Sequence, residues 1–127
     1  MNAQPPTQPL NDPLAQPWEK NYCVGMHLTT LAAGVFVPVV PALIMWLVKR
    51  HDSPFIDDHG REVVNFQISL VLYGIIATIF TVATAGVGVV VSWPLVYILG
   101  LVGLIMGAVA AGHGRYFRYP ACIRFIK

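Results

Sequence analysis

The chain has 127 residues, of which 56% are apolar and only 11% charged, with a formal net charge of +2. Such a length accommodates at most one domain, and soluble domains average about 25% Asp, Glu, Lys and Arg, so the polar surface needed to face water is missing. These figures disfavour a soluble enzyme, a DNA-binding domain and a disordered signalling chain, and they predict an all-α integral membrane protein with the lipid bilayer as a partner and no nucleic acid.

Residues 1–17 hold Pro5, Pro6, Pro9, Pro13 and Pro17 among Gln and Asn. This reads as an extended, disordered tail, either a linker or a docking peptide, and it lacks the basic start and apolar core of a signal peptide. From Asn21 to Val48 no charged residue occurs, a run of 28 positions. Pro38 and Pro41 interrupt that run, each removing a backbone donor. Two layouts fit. One is a single crossing helix, giving three simple spans in all. The other is a hairpin folded back near Gly34 to Pro41, with segments at about 21–37 and 38–48. Arms of about 15 and 10 residues reach about 22 and 15 Å, so a hairpin enters the bilayer without crossing it, and its apex must be buried against protein. By the positive-inside rule, the single crossing leaves one of the eight basic residues outside, whereas the hairpin puts all eight inside.

The linker 49–62 carries Asp57, Asp58, His59, Gly60, Arg61 and Glu62. Acidic residues ahead of a helix complement its dipole, and Asp57 with Arg61 is a favourable pair if the turn is helical. A metal or acid/base site built from Asp57, Asp58, His59 and Glu62, with His51 or His113, is the alternative; it lacks the spacing of a zinc motif, so neither cofactor nor metal is expected.

A second charge-free run of 52 residues, Val63 to Gly114, is long enough for two spans, placed at about Val63–Ala83 and Pro94–Gly112. Ser92-Trp93-Pro94 reads as a cap with proline in the first turn. On the first span Asn65, Ser69 and Tyr73 continue the Glu62 stripe, while Gln67, Gly74, Thr78 and Thr81 form another; both should avoid lipid, as bundle contacts or as the lining of a solute path. On the second, Gly100, Gly103, Gly107 and Ala111 make a small-residue packing face with a GxxxG pair, suited to self-association or to contacts inside one bundle. Trp18, Tyr22, Trp46, Trp93, Tyr97, Tyr116 and Tyr119 sit mostly near the ends of the apolar runs, as interfacial anchors do.

The end of the chain, RYFRYPACIRFIK, alternates basic Arg115, Arg118, Arg124 and Lys127 with apolar residues. It is expected to lie on anionic headgroups or on a protein partner. Cys23 and Cys122 both fall on the cytoplasmic side in the hairpin layout, where a disulfide is not expected.

HLTTL, the internal proline break, WLVKR, SPFIDDHGREVVNFQISL, the glycine-rich apolar pair and GRYFRYPACIRFIK together resemble a bacterial family of small membrane proteins of unknown function. That family is in turn distantly similar to the small subunit of the chloroplast inner-envelope import translocon. The resemblance covers about residues 18–127. It implies cytoplasmic termini in the bacterial inner membrane, four membrane-inserted segments with a broken first pair followed by two full spans, and no catalytic residues. The expected function is a non-enzymatic membrane subunit that assembles with itself or with a larger complex. A small channel or carrier and a membrane metalloenzyme are the alternatives.

Overall fold

The computed structural model describes residues 12–32, 39–119 and 122–126. Within them lie four helices, α1 (Pro17–Ala32), α2 (Val40–Lys49), α3 (Pro54–Ala83) and α4 (Val89–Gly112), followed by an extended C-terminal segment.

Local chemistry explains where each helix starts. Pro17 opens α1, and Glu19 in its first turn accepts the Gln16 N–H. Ser53 caps α3, accepting from the Phe55 and Ile56 amides at 3.2 and 3.4 Å, with Pro54 at the first helical position. This cap starts α3 nine residues before the expected Val63, so the acidic cluster is helical and Asp57 does pair with Arg61. Helix α4 likewise starts earlier than expected, at Val89. Pro94 lies more than a turn inside it, and the Ser92 hydroxyl donates to the Gly88 carbonyl at 2.8 Å instead of capping. The α3–α4 turn uses positive φ at Ala85 (53°) and Gly86 (92°).

The first apolar run contains two helices, not one. α1 has 16 residues and α2 has 10, rising about 24 and 15 Å. Much of the expected break at Gly34 to Pro41 lies outside the described residues, and Val39, on its far side, holds a φ of 78° that β-branched residues rarely adopt. Among the described residues, only α3 (30 residues) and α4 (24) are long and apolar enough to cross a membrane.

Neighbouring helices run antiparallel. The Tyr22 hydroxyl near the start of α1 donates to the Met45 carbonyl near the end of α2 at 2.7 Å. Along α3 and α4, Phe66 faces Gly103, Leu70 faces Gly100 and Gly74 faces Trp93. The start of α1, the end of α2, the start of α3 and the end of α4 therefore share one end of the bundle. Asp12 joins them there, its N–H donating to the Gly114 carbonyl at 2.7 Å.

The core sits at that end. Cys23, Met26, Trp46, Phe55, Ile56, Val63, Val64, Phe66 and Tyr119 are buried in it. At Gly60 the Trp46 ring packs against the α3 backbone so closely that an added Cβ would lie 2.5 Å from its Cγ, so this crossing requires glycine. Toward the far turn the shorter pair falls away, and α3 and α4 expose Ile75, Ile76, Ile79, Val90, Val91 and Leu95. A surface this apolar suits hydrocarbon, not water.

Candidate functional site

Asp58, Glu62, Asn65 and Ser69 follow one another on α3 at spacings of four, three and four, which places them on a single helical face. All four are buried, and all four hold the C-terminal segment. Arg118 forms a bidentate pair with Asp58 at 2.8 and 2.9 Å. Glu62 accepts the Tyr119 N–H and two bonds from the Arg124 guanidinium, each at 3.1 Å. Asn65 reads the backbone of Ile126 in both senses, donating to its carbonyl and accepting its N–H at 2.8 Å each. Ser69 accepts the Ile123 N–H, also at 2.8 Å. The segment is thus a strap, held partly by charge and partly by side chains that replace the strand partner its extended backbone lacks.

This revises the expectation for the tail. Arg118 and Arg124 turn inward to carboxylates, and the Asp58 carboxylate raises the pKa of the Arg118 guanidinium above its ordinary value. Arg115 is exposed, and Lys127 lies outside the described residues. The Arg118 and Arg124 side chains remain two-fifths exposed beside Asp58 and Glu62, so these pairs position the strap more than they stabilise it.

Beneath the strap, the aromatic ring of Tyr119 occupies the small-residue face of α4. It stacks on Phe66 with centroids 3.9 Å apart, and a Cβ built on Gly103 would lie 2.5 Å from the Phe66 ring and 3.0 Å from Tyr119. Gly107 faces His27 and the Tyr119 hydroxyl, Gly100 faces Leu70, and Ala111 is buried. The whole face is therefore in contact with the chain's own residues, which is the packing role that small residues serve.

A buried hydrogen-bond chain completes the junction. Tyr119 Oη bonds His27 Nδ1, His27 Nε2 lies 2.9 Å from His59 Nδ1, and His59 Nε2 lies 2.8 Å from the Arg115 carbonyl. One constraint orders all of it. A carbonyl only accepts, so His59 Nε2 is the donor there; with neutral rings, His59 Nδ1 accepts from His27 Nε2, and His27 Nδ1 accepts from Tyr119. Tyr119 stands in the sequence only as an interfacial anchor and His27 has no assigned role there, although His27 is the one histidine in the first charge-free run, Asn21 to Val48.

The remaining sequence-derived candidates disperse. Asp57 accepts from Trp46 Nε1 at 2.9 Å and pairs with Arg61, tying α2 to α3. His51 and His113 are exposed, and among the described residues no three His, Cys, Asp or Glu side chains converge as a metal site. Cys23 and Cys122 are free thiols. Gln67 donates to Thr29 and Thr30 at 3.0 and 3.1 Å, fastening the end of α1, while its Oε1 has no partner. Gln67 and Thr78 line a groove of about 680 Å³ whose other walls are mostly apolar, including Leu70, Ile75, Trp93 and Leu104. Thr81 lies outside it, bonded to the Ala77 carbonyl of its own helix.

Fold and site define an all-helical protein with two helices suited to crossing a membrane and a polar junction that carries a C-terminal strap. The chain belongs to the magnetosome magnetite crystal formation protein family, whose description matches residues 18–126. No curated protein and no solved structure matches it.

Proposed function

We propose that this chain is a non-enzymatic membrane subunit in magnetite crystal formation, assembling with itself or with a larger membrane complex. In this reading α3 and α4 span the bilayer, α1 and α2 form a re-entrant pair, and both termini lie on the cytoplasmic side. The observation that carries it is where the carboxylates go. Asp57, Asp58 and Glu62 are each paired to a cation inside the fold, so the acidic cluster holds the bundle together instead of facing a substrate or a mineral. What the protein offers outward is the apolar flank of α3 and α4, a surface for lipid and for other helices. The seven described basic residues belong to the end of the bundle where Asp12 joins Gly114, which supports the cytoplasmic placement. Protein import, implied by the resemblance to the translocon subunit, has no counterpart in the family match, and crystal formation is the better-supported process.

Purification from native membranes in mild detergent tests this reading. The tag belongs at the N-terminus, because Ile126 is bonded within the fold. A stoichiometric protein partner or a defined homo-oligomer is the expected result. A monomer that accompanies nothing, or one that turns over a substrate, would refute it.

A further inference from the structure

The strap follows the face of α3 that carries Asp58, Glu62, Asn65 and Ser69. Continued along the helix, the same face presents Ile76 and Phe80, which are 62% and 47% exposed. The face thus changes from polar to apolar where the strap ends, so the strap lies on a flank that is otherwise turned outward to hydrocarbon.

Its depth follows from register, and rests on the proposed reading that α3 and α4 span. The stretch 89–109 of α4 rises about 30 Å, the thickness of the hydrocarbon core. Gly100, nine residues in from Val109, is therefore about 13 Å deep. Gly100 faces Leu70, the neighbour of Ser69, and Ser69 binds the Ile123 N–H. Glu62 lies about 6 Å nearer the interface than Phe66. The Arg124 side chain reaches up to it, keeping its charge close to water while Ile123 and Phe125 point outward, 43% and 52% exposed. Extended backbone inside hydrocarbon must be satisfied by protein, and Asn65 and Ser69 supply partners to the backbone of Ile126 and Ile123.

We propose that residues 122–126 form a re-entrant C-terminal strap whose Ile123 and Phe125 side chains contact lipid acyl chains within the hydrocarbon core. The strap completes the lipid-facing surface over a polar stripe that lipid could not cover.

The test uses the full chain in phosphatidylcholine vesicles, with Cys23→Ser and Cys122→Ser and one nitroxide label at Ile123→Cys or Phe125→Cys. Ile98→Cys on α4 and Asp52→Cys in the linker serve as references. Labels at 123 and 125 should collide readily with oxygen and lose access to a water-soluble nickel chelate, as at position 98. Nickel access like that at 52, with 98 still protected, would overturn the strap alone. Nickel access at 98 itself would overturn the spanning reading. Exclusion of both reagents at 123 and 125 would mean that protein covers the strap, which also overturns lipid contact. Trypsin acting on the unmodified chain gives an independent check: in vesicles where Arg50 is cut, cleavage after Arg124 should be lost, and cutting at both sites equally would count against insertion.

Discussion

Replacing Gly103 by alanine adds one methyl group where two aromatic rings already meet. The new Cβ would sit 2.5 and 2.8 Å from Phe66 ring atoms and 3.0 Å from Tyr119. Neither ring can swing aside, because Phe66 is fully buried and Tyr119 nearly so, and the two are stacked. Overpacking of this kind costs about 1–3 kcal/mol, against a gain of up to about 1 kcal/mol from replacing glycine within a helix. A net loss of about 1–2 kcal/mol is expected, with the strap loosened because Tyr119 is the group displaced. Gly112→Ala is the matched control on the same helix: its nearest neighbour would be a Val24 methyl at 3.7 Å, an ordinary contact, so it should be neutral or stabilising by up to about 1 kcal/mol. Thermal unfolding in detergent by circular dichroism, with tryptic cleavage after Arg118 as the local readout, measures both. If Gly103→Ala proved as stable as Gly112→Ala, with the strap equally protected, the close approach of Phe66, Tyr119 and α4 would be wrong.

The strap's main charge pair should respond asymmetrically to loss of either partner. Arg124→Ala strands a carboxylate only 5% exposed and should favour strap opening by about 3 kcal/mol, whereas Glu62→Gln still accepts the Tyr119 N–H, leaves the half-exposed guanidinium to water and should cost about 1 kcal/mol. Tryptic cleavage after Arg118 should therefore be faster in the first variant, and equal rates would contradict the assigned burial. At the root of the strap, burial and the Asp12 carboxylate bonded to its hydroxyl at 2.9 Å push the Tyr116 phenol up from its ordinary value. A raised acid favours the folded state while protonated, so this contribution is complete below about pH 10 and is lost as pH rises beyond it. Hydrogen exchange around Asp12 and Tyr116 should quicken above that pH in the wild type, and a Tyr116→Phe variant that showed the same alkaline transition would assign it elsewhere.

Composition and charge spacing determined a good deal by themselves. Two charge-free runs and a proline break predict two long apolar helices after an interrupted stretch, and α4 and all of α3 beyond Glu62 fall in the longer run because backbone groups in so apolar a segment are best satisfied within a helix. The acidic turn, the small-residue face and the alternating tail were each visible as local patterns. Their partners were not, because local periodicity tells which residues share a face and says nothing of what lies opposite. Asp58 meets Arg118 across 60 positions, Asn65 meets Ile126 across 61 and His27 meets Tyr119 across 92. Read alone, the basic tail calls for anionic headgroups and the polar stripe for a neighbouring helix. Only the tertiary structure joins them, because burying the carboxylates requires cations and the buried extended backbone requires hydrogen-bond partners, and each is the other's nearest supply.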